Sequence, residues 1–157
     1  MIEGFWTTEF YTLESLQRFI RNCESHIRTS LEYRKWVAST YGVQKICAVC
    51  GVSPYEATIE VHHHPFTLFD LVEVALSKMK RLNTLVVSTL VLGWHFRGIV
   101  GWVPLCKTHH ESVHNLITHL HPSVIQGQWQ VLIEKYSPPE DVLTRVYTRI
   151  ERGYTGC

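Results

Sequence analysis

The sequence carries almost no net charge: 15 Lys and Arg face 14 Asp and Glu over 157 residues, a formal +1 at pH 7. That balance excludes a strongly basic nucleic-acid scaffold, although not a local basic patch. No apolar run reaches the ~18–20 residues that a membrane helix needs. The longest, Thr84 to Trp94, is too short and contains Ser and Thr, so no membrane partner is expected. Internal repeats and low-complexity segments are also absent. The opening MIEGFWTTEF has acids where an export signal would carry a basic region, which leads to an expectation of a cytoplasmic protein. The five cysteines are odd in number; without an export signal, that argues against a disulfide framework.

What is present is 45% hydrophobic and 11% aromatic, enough apolar surface to bury a core in a single domain. Ten His occur, nine of them between His62 and His121, and two Cys stand as Cys47-x-x-Cys50. Clustered His with paired Cys points to metal.

The element pattern predicts an α+β protein, mainly helical. Leu13, Leu16, Phe19, Ile20, Cys23 and Ile27 recur at helical spacing over 12–29. A second helix starts with Ser30 as N-cap and ends near Gly42. These form an N-terminal helical arm, 1–42. The core spans 43–120. In it, ATIEVHHH reads as a strand ended by Pro65. Residues 68–81 read as an amphipathic helix with Leu71, Val74, Ala75 and Met79 as its stripe. Residues 84–96 read as a further helix despite their β-branched content. IVGWVPLC reads as a second strand ending at Pro104, and KTHHESVHNLITHL as a helix. The C-terminal tail, 121–157, starts a helix at Ser137-Pro138-Pro139-Glu140-Asp141 with a stripe of Val142, Leu143, Val146 and Ile150.

Three constellations carry chemistry. Cys47-x-x-Cys50 with Cys106-x-x-His109 offers four soft or borderline ligands in two tight pairs, suited to a tetrahedral structural Zn2+. A thioredoxin-like redox pair would need a helix opening at the CxxC, where Gly51, Ser53 and Pro54 stand. A Cys2His2 finger fails because no second His follows His63 at the required spacing. Cys23 belongs to an apolar stripe, and Cys157 has no assigned role.

Second, Glu60-Val61-His62-His63-His64-Pro65 puts three imidazoles at a strand end. Alternation sends His62 and His64 to one face and His63 to the other, and a bend at Pro65 lets adjacent imidazoles converge. Such groups bind metal or accept a proton near neutral pH. Third, His110-Glu111-Ser112-Val113-His114 places His110 and His114 on one helical face, able to hold one ion. It also spells HExxH, with Glu134 as a conceivable third ligand of a metalloprotease. Ile117 and Leu120, however, stand where the metzincin extension requires Gly and His.

In order, CxxCG, EVHHHPFTL and VPLCKTHHESVH resemble the HNH endonucleases, the His-Me finger or ββα-metal nucleases, and especially short phage-encoded ones. The resemblance covers about 45–116. It implies a small zinc-stapled ββα-metal core of two strands and a helix, with a helical insert at about 66–97 in the hairpin connection. It implies a catalytic divalent ion (Mg2+, Mn2+, Ni2+ or Zn2+) on His62, His110 and His114, His63 as general base, and Glu60 as a supporting acid. The same pattern also permits the strand roles one residue later, on His63 and His64. The Asn that usually precedes the second strand is replaced by the stretch Gly98 to Trp102.

The expectation is therefore a metal-dependent endonuclease hydrolysing DNA phosphodiester bonds to 5′-phosphate ends, in the host cytoplasm if phage-encoded. Lys78, Lys80, Arg81, Arg97 and Lys107 are the candidate phosphate contacts. A protein partner or a second copy would dock through the helical arms. The competing class is a zinc-stabilised, non-catalytic adaptor that binds nucleic acid or protein, and the protease is a third reading.

Overall fold

The computed structural model describes residues 10, 12–40, 45–80 and 83–156. Gly42, Arg81 and Cys157 lie outside the described residues. In chain order the elements are α1 (Leu13–Thr29), α2 (Leu31–Thr40), β1 (Ile59–His63), α3 (Leu68–Ser77), α4 (Thr84–Phe96), β2 (Trp102–Cys106), α5 (Lys107–His114), α6 (Gln130–Tyr136) and α7 (Glu140–Thr155), with a 3₁₀ turn at Pro122–Val124. The described chain is thus mainly helical, with one two-stranded antiparallel sheet.

Local chemistry explains the helix starts. Thr12 and Ser15 cap α1 reciprocally, each hydroxyl accepting from the other's backbone N–H. The Ser30 hydroxyl accepts from Tyr33 N at 3.1 Å, the N-cap expected for α2. Thr67 and Asp70 form the equivalent box at α3. In α4, Asn83 caps the first turn, and Val87, Val91 and Trp94 bury one face. Burial of that face overrides the weak helix preference of its β-branched residues.

Two apolar clusters result. The larger joins Phe19, Ile20, Cys23 and Ile27 of α1 to Leu71 and Val74 of α3, Val87, Val91 and Trp94 of α4, and Val142 and Val146 of α7. The predicted arm, insert and tail therefore share one core. Within it, Cys23 is fully buried, and burial pushes its thiol up to about 11. The smaller cluster, with Ile59, Val103, Leu105, Cys106 and Leu120, is built around the sheet.

β1 and β2 pair in the register Ile59↔Cys106, Glu60↔Leu105, Val61↔Pro104, His62↔Val103 and His63↔Trp102. The second strand does not end at Pro104. The Pro104 carbonyl accepts from Ala48 N at 2.9 Å, on the side away from β1. In an antiparallel strand a residue's N–H and C=O face the same side, so the N–H that proline lacks would not have joined the ladder. The helix expected over 107–120 is also shorter. It stops at His114, and Leu116 takes a left-handed φ of 58°. The Ser112 and Thr118 hydroxyls meet at 2.6 Å across the turn, and Leu120 folds back to close the smaller cluster. The predicted 68–81 helix likewise ends at Ser77.

Candidate metal centre

The Cys47–Cys50 knuckle is built on its own backbone. Cys47 N donates to Val52 O at 2.9 Å, and Gly51 N donates to Cys47 O at 2.8 Å. Gly51 sits at φ 73°, a left-handed position that glycine adopts without strain. The Ala48–Pro104 bond ties this knuckle to β2. Cys106 closes β2, and His109 follows on the first turn of α5. The donor atoms of Cys47, Cys50, Cys106 and His109 lie within 4.8 Å of one another. His109 Nδ1 is 3.6 Å from Cys47 Sγ and 3.1 Å from Cys106 Sγ, and the Cys50 and Cys106 sulfurs are 4.0 Å apart. Ligands at about 2.3 Å from a tetrahedral zinc are about 3.8 Å apart, so the set fits that ion. Burial raises the Cys47 thiol. Backbone N–H groups of Cys106, Cys50 and Val49, with the Cys50 thiol, outweigh it and bring Cys47 down to about 6.

The second set joins strand to helix. His62 of β1 meets His110 and His114 of α5, with all three ligand nitrogens within 4.8 Å. The His62 ring centroid is 5.1 Å from that of His110 and 5.0 Å from that of His114. His110 Nε2 and His114 Nε2 are 3.1 Å apart. Glu60, two residues before His62 and so on the same strand face, places Oε2 2.5 Å from His110 Nδ1. That carboxylate holds the proton on Nδ1 and turns the Nε2 lone pair toward His62 and His114, the usual support of a metal-bound imidazole. Burial, then His110, His114, His64 and Arg149, push His62 down to about 3, so it is neutral and free to donate. The residues therefore fit a divalent ion. His62 takes the third place for which Glu134, exposed on α6, was considered.

The other two imidazoles of the triplet separate as alternation predicts. His64 stacks near His62, centroids 6.1 Å apart, with a buried Nε2 that has no hydrogen-bond partner. Burial, then Arg149, lower it to about 4. His63 lies on the opposite face beside the adjacent rings of Tyr33 and Trp36, each 6.0 Å away. Its Nε2 is 3.0 Å from Nε2 of His95 on α4. Burial, then His95, hold His63 well below its ordinary value.

Two clefts flank the triad, and both share His62, His63, Thr67 and His114. The larger, about 190 Å³, adds His64, His119, Arg149 and Arg152. The smaller, about 80 Å³, adds Arg28 and His110. Arg149 is positioned by the fold: its Nη1 donates to Pro65 O at 2.8 Å and to Asp70 Oδ2 at 2.6 Å. Arg145 donates to Asp70 Oδ1 at 2.9 Å and also pairs with Glu73. α7 is thereby clamped to α3 and to the corner that follows the His triplet. Gly101 packs under the same corner; its carbonyl accepts from His64 N at 3.1 Å.

None of the sequence-predicted phosphate contacts among the described residues lines these clefts. Lys78 donates to Ser137 O and Arg97 to the Tyr136 hydroxyl, each at 3.0 Å, and Lys80 and Lys107 are exposed elsewhere. Arg81 is not described. Sequence reasoning missed Arg28, Arg149, Arg152 and His95. The Arg residues belong to no motif, and His95 sits in an apolar helix.

Among the described residues no helix is long and apolar enough to cross a membrane. No curated protein and no solved structure matches the chain. A family model described as Bacteriophage G278-like virion protein matches residues 2–151, nearly the whole sequence. The phage link implied by the resemblance thus holds at the level of the family: the chain belongs to the bacteriophage G278-like virion protein family.

Proposed function

We propose that the protein is a metal-dependent endonuclease of the HNH type that hydrolyses DNA phosphodiester bonds. The observation that carries this reading is the convergence of His62, His110 and His114 from strand and helix, with Glu60 behind His110. A divalent ion on the three imidazoles would supply charge stabilisation for the scissile phosphate and the leaving 3′ oxygen. His110, oriented by Glu60, and neutral His62 and His114 present lone pairs for that ion. His63 lines both clefts and takes a proton from the attacking water. His64, the alternative for that role, lines only the larger cleft. Arg28 on one side and Arg149 with Arg152 on the other would grip backbone phosphates as the strand passes the triad. Cys47, Cys50, Cys106 and His109 hold a structural zinc that fixes β2 to the start of α5.

The test is nicking of supercoiled plasmid by EDTA-stripped protein re-supplied with Mg2+, Mn2+, Ni2+ or Zn2+. Metal-dependent nicking, lost in His63→Ala and His110→Ala, supports the proposal. The virion description of the family favours a second reading, a zinc-stabilised adaptor without catalysis. Absence of cleavage with every metal, from folded protein that keeps one zinc, would select it. Cleavage of casein rather than DNA would select the metalloprotease.

A further inference from the structure

His95 has no part in the metal sets, yet it is a buried polar side chain, 1% exposed, in a largely apolar helix. Its Nδ1 lies 2.7 Å from Val91 O, one turn back in α4. A carbonyl oxygen can only accept, so the proton is on Nδ1. Burial pushes His95 down to about 4, which keeps the ring neutral, with one N–H. Its Nε2 is therefore a lone pair, and it faces His63 Nε2 at 3.0 Å. That contact is a hydrogen bond only when His63 is the donor.

We infer that His95 is a positioning residue that fixes the tautomer of His63, with the proton on Nε2 and the lone pair on Nδ1. Tyr33 and Trp36 both lie beside His63 and also meet His95 edge-on, at 5.7 Å and 4.6 Å. Those rings confine the plane of the His63 imidazole but do not choose which edge turns inward. The His95 lone pair makes that choice, since a flipped ring would offer it a carbon in place of the N–H donor. With Nε2 engaged by His95, Nδ1 is the nitrogen that remains, and His63 lines both clefts. A lone pair there is what accepting a proton from water requires. The catalytic part of this inference rests on the proposed role of His63; the tautomer does not.

The experiment separates the two. Long-range ¹H–¹⁵N spectra of zinc-loaded protein near pH 7.5, with His63 assigned by its loss in His63→Gln, read the tautomer directly. A protonated Nε2 and an unprotonated Nδ1 are expected in the unmodified protein. A proton on Nδ1 overturns the inference, whether or not DNA is cut. His95→Gln retains an acceptor at this position, and His95→Phe removes it. With cleavage established, His95→Phe lowers kcat by about 10–100-fold at nearly unchanged KM, and His95→Gln recovers most of it. Equal kcat in all three proteins overturns the catalytic part of the inference. If the unmodified protein cuts no DNA, the nuclease reading fails alone, and the spectra still decide the role of His95.

Discussion

Replacing His95 by Gln should flatten the acid sensitivity of the fold by a calculable amount. The His95 pKa falls from 6.5 to about 4 on folding. As pH drops, the unfolded chain takes up this proton first, so the stabilisation is complete above pH 6.5 and is lost as pH falls toward 4. At 1.36 kcal/mol per tenfold, the whole difference is about 3.4 kcal/mol. At pH 5 the unfolded ring is nearly all protonated and the folded ring about one-tenth so, giving about 2 kcal/mol. Urea unfolding of both proteins with excess zinc at pH 8 and pH 5 reads the difference between the two drops. For a urea dependence of about 2 kcal/mol per molar, the midpoint should fall about 1 M further in the unmodified protein. The comparison of drops cancels any constant effect of the substitution, as well as zinc loss common to both. Equal drops would refute the placement of a neutral, buried imidazole against Val91 O.

Four further outcomes follow from the geometry. Cys50→Ser should lose the tightly held zinc and the tertiary signal in near-ultraviolet circular dichroism, whereas His114→Ala should keep both, as metal analysis will show. Asp70→Ala leaves Arg145 and Arg149 without their shared buried carboxylate; a loss of about 3 kcal/mol is expected, read as a lower thermal midpoint. Gly101→Ala would set a Cβ 2.2 Å from His64 O, so urea unfolding should show about 1–3 kcal/mol of destabilisation. Arg152→Glu should weaken DNA binding and reduce the slope of log affinity against log salt by about 1; an unchanged slope would remove Arg152 from the DNA path.

Much of this was legible because it is local. The cap at Ser30, the start signal from Ser137 to Asp141 and the period of α1 and α7 mark helices within a few residues. The spacing Cys47-x-x-Cys50, and His110 with His114, already places donors on one knuckle and one helical face. The meeting of His62 with α5 was implied by the resemblance to the HNH nucleases, not by any spacing. What escaped depends on distant docking. Arg149 reaches the site only because Asp70, on α3, holds it there, and no spacing in the sequence records that pair. Arg28 is a surface residue of α1 until α1 packs beside the triad. Arg97 and Lys78 resembled a basic patch, yet the fold spends them on the corner between α6 and α7. Pro104 reads as a strand end unless the side on which its missing N–H would lie is known.

The Asp70–Arg149–Pro65 clamp gives assembly an order in time. A growing chain has both sets of metal donors once His114 has emerged, but α7 is made after them. Until then one wall of the larger cleft lacks Arg149 and Arg152. Both donor sets can therefore be in place before that wall is, and under the proposed function an ion would be captured before the grip on phosphate is complete.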